Sequence, residues 1–194
     1  MTELSAPVFV RAATVDDVGA ITEIQMGALV DTVAHVVGQQ YRNQVAGQLS
    51  QLDIEATWNS TIALGDEQKR GVLVATDSGE VVGFAAFAVS EGEAEAESVV
   101  PGLPFEVPTS SAQILVFEVA PSHRRIGHGS RLLAAIADIL RPQGVPGMVV
   151  WIVGEDQDRV RFFRKAGFAP VGVRRGADTG VGEVVEHLWF AALD

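Results

Sequence analysis

The chain has 194 residues, 47% of them hydrophobic, which suits one domain with a substantial core and excludes global disorder. It has no cysteine, which rules out a disulfide scaffold, a thiolate metal site and a cysteine acyl-enzyme. A formal net charge of −11 argues against nonspecific nucleic-acid binding, and leaves cationic substrates or ordinary acidic solubility as alternatives.

The opening MTELSAP carries an acidic residue and no apolar signal region. The longest apolar run, Val81 to Val89, is too short to cross a bilayer, so a cytoplasmic protein with no membrane partner is expected. Val8 to Arg11 reads as a first strand, and Thr14 three residues before Asp17 reads as a capping box for a helix bearing Val18, Ile21 and Ile24. From Asp31 to Leu64 the pattern is helical, with breaks expected at Gly38 and Gly47. Val45, Leu49 and Leu52 fit one face, and Asp53 caps a further helix reaching Trp58. Residues 71–76 and 80–89 form two strands around the hairpin turn Asp77-Ser78-Gly79.

Between Glu91 and Ser111 the composition shifts to EGEAEAE and three prolines, Pro101, Pro104 and Pro108, the mark of a long surface loop. Glu91, Glu93, Glu95 and Glu97 would align along an extended backbone, as a solvated edge or as a cation-attracting rim. Gln113 to Ala120 is a buried strand, with Leu115, Phe117 and Val119 on one face and Ile114, Val116 and Glu118 on the other. A helix over 130–141 presents Leu132, Leu133, Ile136, Ile139 and Leu140, and stops at Pro142 and Gly144. Met148 to Val153 is a strand, and Asp156 caps a helix that carries Val160 and Phe163 and closes at Gly167. Strands from Phe168 to Arg174 and from Val184 to Leu193 end the chain around a glycine-rich linker. There is no internal repeat, so residues 1–194 read as one domain, and a homodimer is left open.

The stretch SHRRIGHGSRLL, Ser122 to Leu133, concentrates positive charge where the backbone is barest. Glycines at 127 and 129 let amides turn towards a ligand, and the helix behind them adds unpaired N–H donors and a positive dipole end. Arg124, Arg125 and Arg131 supply charge for phosphate oxygens, so a pyrophosphate is the expected guest. A Walker A loop would need lysine then serine or threonine, which Ser130-Arg131 does not give; a dinucleotide fingerprint would need a third glycine where Leu132 stands.

FEVAPSHRRIGHGSRLL resembles the acetyl-CoA-binding motif of the GNAT superfamily of N-acetyltransferases, whose core is Q/R-x-x-G-x-G/A. Arg124-Arg125-Ile126-Gly127-His128-Gly129 matches its fixed positions, and DQDRVRFFRKAGF resembles the family's later helix ending in Gly-Phe, here Gly167-Phe168. The order of elements is similar along nearly the whole chain, with residues 31–64 and 91–111 poorly covered. The resemblance implies an α/β (α+β) fold: a mixed, mostly antiparallel central sheet with helices on both faces. It implies that the strand before the glycine turn splays from the next one. Backbone around Phe117, Glu118 and Val119 would then hold the pantetheine of acetyl-CoA, and amides of Ile126, Gly127, His128, Gly129 and Ser130 the pyrophosphate. The helix of Asp156, Arg159 and Phe163 would lie beside the thioester, with no metal involved.

By that resemblance the function is transfer of an acetyl group to a primary amine, of a small molecule or a peptide, directly in a ternary complex. The alternatives are a noncatalytic acyl-CoA-binding or sensing domain and, third, a nucleotide-binding domain. Glu118, a carboxylate interrupting an apolar strand, is the candidate general base, acting directly or through water; a salt bridge to a nearby arginine is the alternative. Many family members carry tyrosine where this chain has Phe163, whose ring has no hydroxyl to protonate the leaving thiolate. Asp156 and Arg159 stand where asparagine and alanine are usual. His35 and Tyr41 fall in the region that lines the acceptor site in the family, with surface or packing roles as the alternative. His123 and His128 flank the turn, where they could assist electrostatically, and His187 is structural.

Overall fold

The computed structural model describes residues 9–65, 70–89, 98–99 and 107–193. The first strand, β1 (Phe9–Ala12), leads through a single 3-10 turn into α1 (Val18–Val37). Asp17 holds that corner: it accepts two bonds from Arg11, at 2.6 and 2.8 Å, and others from the Thr14 amide and hydroxyl. Helices α2 (Arg42–Leu49) and α3 (Ile54–Ala63) follow, the latter capped by Asp53, whose side chain accepts from the Ala56 amide. Gly38 breaks the chain as expected, with φ of 117°. Gly47 does not: it sits inside α2, because a glycine with helical dihedrals costs a helix only about 1 kcal/mol. Since α2 stops at Leu49, Leu52 loses the helical phase that aligned it with Val45 and is exposed.

Strands β2 (Arg70–Asp77) and β3 (Glu80–Val89) form the expected hairpin, with Ser78 and Gly79 both at positive φ as a tight primed turn requires. Then come β4 (Ser98–Val99), β5 (Ala112–Val119), α4 (His128–Leu140), β6 (Gly147–Val153), α5 (Gln157–Lys165), β7 (Ala169–Asp178) and β8 (Glu183–Ala192). Two of the 91–111 residues read as loop are thus strand: Ser98 and Val99 pair with Arg174 and Val173 of β7. The glutamate row at 91–97, with Pro101 and Pro104, lies outside the described residues. Strand β7 runs four residues beyond Arg174, because Gly176 is taken into its pairing and the turn is made by Thr179–Gly182.

The sheet among the described residues has eight strands in the order β1-β2-β3-β5-β6-β8-β7-β4. Every neighbouring pair is antiparallel except β5 and β6. Helices cover both faces: α1 and α3 bring Val18, Ile21 and Trp58 onto Val72, Val74 and Phe84, and α4 and α5 bring Leu132, Ile136, Val160 and Phe163 onto the other side. Ile139 lies roughly a quarter-turn from the centre of α4's apolar stripe and stays exposed, contrary to the sequence expectation.

A bulge in β5 positions the site. The β3 pairing passes from Ala86↔Val116 to Phe87↔Ile114, leaving Leu115 unpaired and 56% exposed. The extra residue flips the alternation. Ile114 and Phe117 therefore enter the same core, and the faces read from simple alternation are wrong on one side of Leu115.

Candidate functional site

Strands β5 and β6 are bonded only at Ala112↔Met148, Gln113↔Val149 and Ile114↔Val150. Beyond that point β5 stays with β3 as far as Val119, while β6 stays with β8 as far as Val153, so a seam opens between them. The Ala120 amide bonds Val82 O at 2.8 Å, which turns Glu118's backbone towards β3 and the N–H and C=O of Phe117 and Val119 into the seam. Both seam-facing carbonyls already accept a side-chain bond. Arg159 Nη1 donates to Phe117 O at 3.1 Å and Arg124 Nε to Val119 O at 3.0 Å. Each of these oxygens keeps a second lone pair, so β5 offers a ligand both amide donors and carbonyl acceptors.

At the mouth of the seam the backbone turns through Arg125 (φ 66°) and Gly127 (φ 99°) into α4. The Arg131 amide closes on Gly127 O at 3.1 Å, so the amides of His128, Gly129 and Ser130 have no carbonyl within the helix. Glycine serves the two places for different reasons. Gly127 needs its left-handed φ, while a Cβ on Gly129 would lie 3.3 Å from two Phe162 ring atoms and 3.5 Å from Phe117. Arg131 lies over Gly127, and Arg125 reaches Asp158, which Arg161 also binds. The cradle fits a diphosphate.

A cleft of about 1300 Å³ joins this turn to the seam and to one face of α1, where Ala28, Asp31, Thr32, His35 and Val36 recur at helical spacing. Of the expected site residues, Phe117, Glu118, Val119, Arg124, Arg125, Gly127, Gly129, Ser130, Asp156, Arg159 and Phe163 line it. Ile126 and His128 do not: Ile126 is 56% exposed and His128 points into the protein, so these two offer backbone only. From the acceptor stretch expected at 31–64, the cleft takes nothing beyond Val36, and Tyr41 is not part of it. Among the described residues no group of three His, Asp or Glu could hold a metal ion.

Glu118 meets an arginine. Arg159 Nη2 donates to Glu118 Oε1 at 2.6 Å, with both side chains largely buried. The same guanidinium reaches Asp156 Oδ2 at 3.4 Å, and Asp156 Oδ1 caps α5 through the Arg159 amide at 2.9 Å. Burial opposes the Arg159 charge, but the two carboxylates outweigh it and hold its pKa above the ordinary value. Sequence reasoning allowed such a bridge without finding its partner. The available signal was Arg159 itself, a long cation three residues after a helix cap.

His128 is 1% exposed, and neither ring nitrogen has a hydrogen-bond partner; Asp77 Oδ2 stands 3.6 Å from Nε2. Burial pushes its pKa below 6.5, with Arg131 and His123 adding to the effect and Asp77 opposing it. A lowered folded pKa means that the unfolded state binds the proton first, so stability is full above pH 6.5 and falls as the pH drops below it. Urea midpoints between about pH 7.5 and 5.5 should therefore drop for the wild type and less for His128→Phe. Parallel curves would show that the imidazole is not what titrates.

A diverging parallel strand pair with an anion cradle at its mouth is an arrangement suited to a diphosphate-bearing ligand. The comparisons carry this to a family. The model of the acetyltransferase (GNAT) family matches residues 36–168, more than half of the chain. The chain belongs to the GNAT family and is an acetyltransferase, with acetyl-CoA as co-substrate. No curated protein matches it in sequence.

Solved structures share its fold. PaiA N-acetyltransferase from Thermoplasma acidophilum, in complex with coenzyme A, aligns with a TM-score of 0.68 at 13% identity over 96% of this chain and 99% of that one. Ribosomal-protein-alanine N-acetyltransferase from Brucella melitensis aligns at 0.67 with 22% identity, over 95% and 99%. YncA, a putative acetyltransferase from Salmonella typhimurium solved with acetyl-CoA, aligns at 0.65 with 21% identity, over 97% and 95%. Among the described residues no helix is long and apolar enough to cross a membrane.

Proposed function

We propose that the chain transfers the acetyl group of acetyl-CoA to a primary amine, directly and within a ternary complex. The observation that carries this reading is the continuous cleft from Gly129 through the open seam to His35: it gives the diphosphate one end and the acceptor the other. With no cysteine in the chain, a thiol acyl-enzyme is unavailable, and direct attack by the amine is the remaining economical route.

The amine must reach the carbonyl unprotonated. At pH 7 that costs roughly 4–5 kcal/mol for a lysine-like amine and about 1 kcal/mol for an α-amine. Glu118 is the carboxylate at the seam that can take the proton; its second oxygen is not used by Arg159. Asp31 on the α1 face of the cleft, with Glu118 at the seam, suits an acceptor with a further positive charge. A cytoplasmic location is part of the same proposal, and the cysteine-free composition suits it.

Release of free CoA, followed with a panel of small amines and amino-terminal peptides, tests the reading. Amine-dependent release above background is expected. Tight acetyl-CoA binding with no amine accepted would instead make the domain a sensor.

A further inference from the structure

Attack of an amine on a thioester carbonyl produces a zwitterion: the nitrogen becomes positive while the carbonyl's π pair moves to oxygen. A site complementary to that intermediate needs an anion beside the nitrogen and a cation beside the oxygen, a hydrogen bond apart. The seam contains such a pair, with Arg159 Nη2 and Glu118 Oε1 at 2.6 Å.

We propose that this pair is the catalytic dipole of the transfer, with Arg159 donating to the thioester oxygen as it becomes an oxyanion. The proposal rests on the direct-transfer reading above. Glu118 is the base already considered; the new assignment is Arg159. A guanidinium has five N–H groups, and three are committed here, to Asp156, Phe117 O and Glu118. Two remain. Because those three acceptors fix the group in advance, it can meet the oxyanion without reorganising, the condition under which such donors are most effective.

Helical phase supports the assignment. Arg159 and Phe163 are four residues apart on α5 and share a face, and Phe163 has no proton to offer there. A charged donor can stabilise the intermediate without giving up a proton. The step then balances as follows. Glu118 passes the ammonium's first proton on to solvent and is again a carboxylate when the C–N bond forms. The nitrogen's second proton then passes to the free oxygen of Glu118, and the carbonyl re-forms. The C–S pair leaves on sulfur as a thiolate that takes its proton from solvent, which is feasible for a thiol of pKa about 8.5. Two carboxylates around one guanidinium look like full neutralisation, yet Asp156 is shared with the helix cap, and Glu118 keeps Oε1 on Arg159 while its other oxygen meets the ammonium as it forms. Positive and negative groups then alternate along the line Asp156, Arg159, oxyanion, ammonium, Glu118.

The test starts with the wild type, by measuring acetyl-CoA binding by calorimetry and turnover with an accepted amine. Arg159→Met should lower kcat about 10²–10³-fold while the Kd for acetyl-CoA stays within about threefold. Arg159→Lys should recover about tenfold of that loss and add a fall in kcat above about pH 9, as the lysine deprotonates. The wild type, whose guanidinium stays charged throughout that range, is expected to show no such limb. The proposal is overturned if Arg159→Met keeps kcat within about threefold, or loses activity only in step with acetyl-CoA affinity. It is equally overturned by an Arg159→Lys profile like that of the wild type, and this variant decides alone if Arg159→Met does not fold. A wild type that binds acetyl-CoA yet acetylates no amine defeats the transfer reading itself, and that outcome is visible before any variant is made.

Discussion

Replacing Gly129 with valine is expected to weaken acetyl-CoA binding at least about 100-fold, about 2.7 kcal/mol, while the apo-protein still folds. Gly129 is the middle one of three amides at the start of α4 that have no helical acceptor, and it lines the cleft. A Cβ there would already sit 3.3 Å from Phe162, so valine's methyls must push that ring aside or extend into the slot. Either way the approach to the amides is lost. Helix propensity works in the opposite direction, since valine suits a helix better than glycine, so a general loss of stability is not expected. Position 127 is a less clean probe: its φ of 99° would add backbone strain of about 1–2 kcal/mol to any side chain. Calorimetric titration of Gly129→Val with acetyl-CoA, beside its melting temperature, checks the expectation. Retained affinity would move the diphosphate away from this turn.

The same turn shows what the sequence made legible. Its glycines, its arginines and the helix behind them lie within a dozen residues, and local geometry follows from local sequence. The bulge at Leu115 was hidden because Ile114, Leu115, Val116 and Phe117 are all apolar, so alternation leaves no mark by which a slipped register could be seen. The partner of Glu118 lies 41 residues away on another element, and the choice between a free base and an ion pair depended on that distance being closed. His128 was read as a flank of the phosphate turn. Its ring lies instead behind that turn beside Asp77, a neighbour supplied by the β2–β3 hairpin. Glycine was an uneven guide: Gly38 ends a helix because its dihedrals lie outside the helical region, whereas Gly47 with helical dihedrals only weakens one.

Phe163→Ala is expected to cost about 3–5 kcal/mol of stability, a drop in melting temperature of roughly 6–20 °C. The ring has no exposed surface and meets Phe162 and Phe168 at centroid distances of 5.1 Å and Phe117 at 5.4 Å. It ties α5 to β5 beside the open seam, where β6 no longer helps, so the loss should also loosen the bridge from Arg159 to Phe117 O. Phe163→Tyr separates packing from chemistry. Closed in by three rings, a hydroxyl is expected to lack a partner and to cost about 1–3 kcal/mol, with no gain in turnover. If the tyrosine variant is as stable as the wild type and faster, the para position opens on the thioester and proton donation limits the rate. That result would return the leaving-group step to general acid catalysis, and a permanently charged guanidinium would then be insufficient for the thiolate's departure.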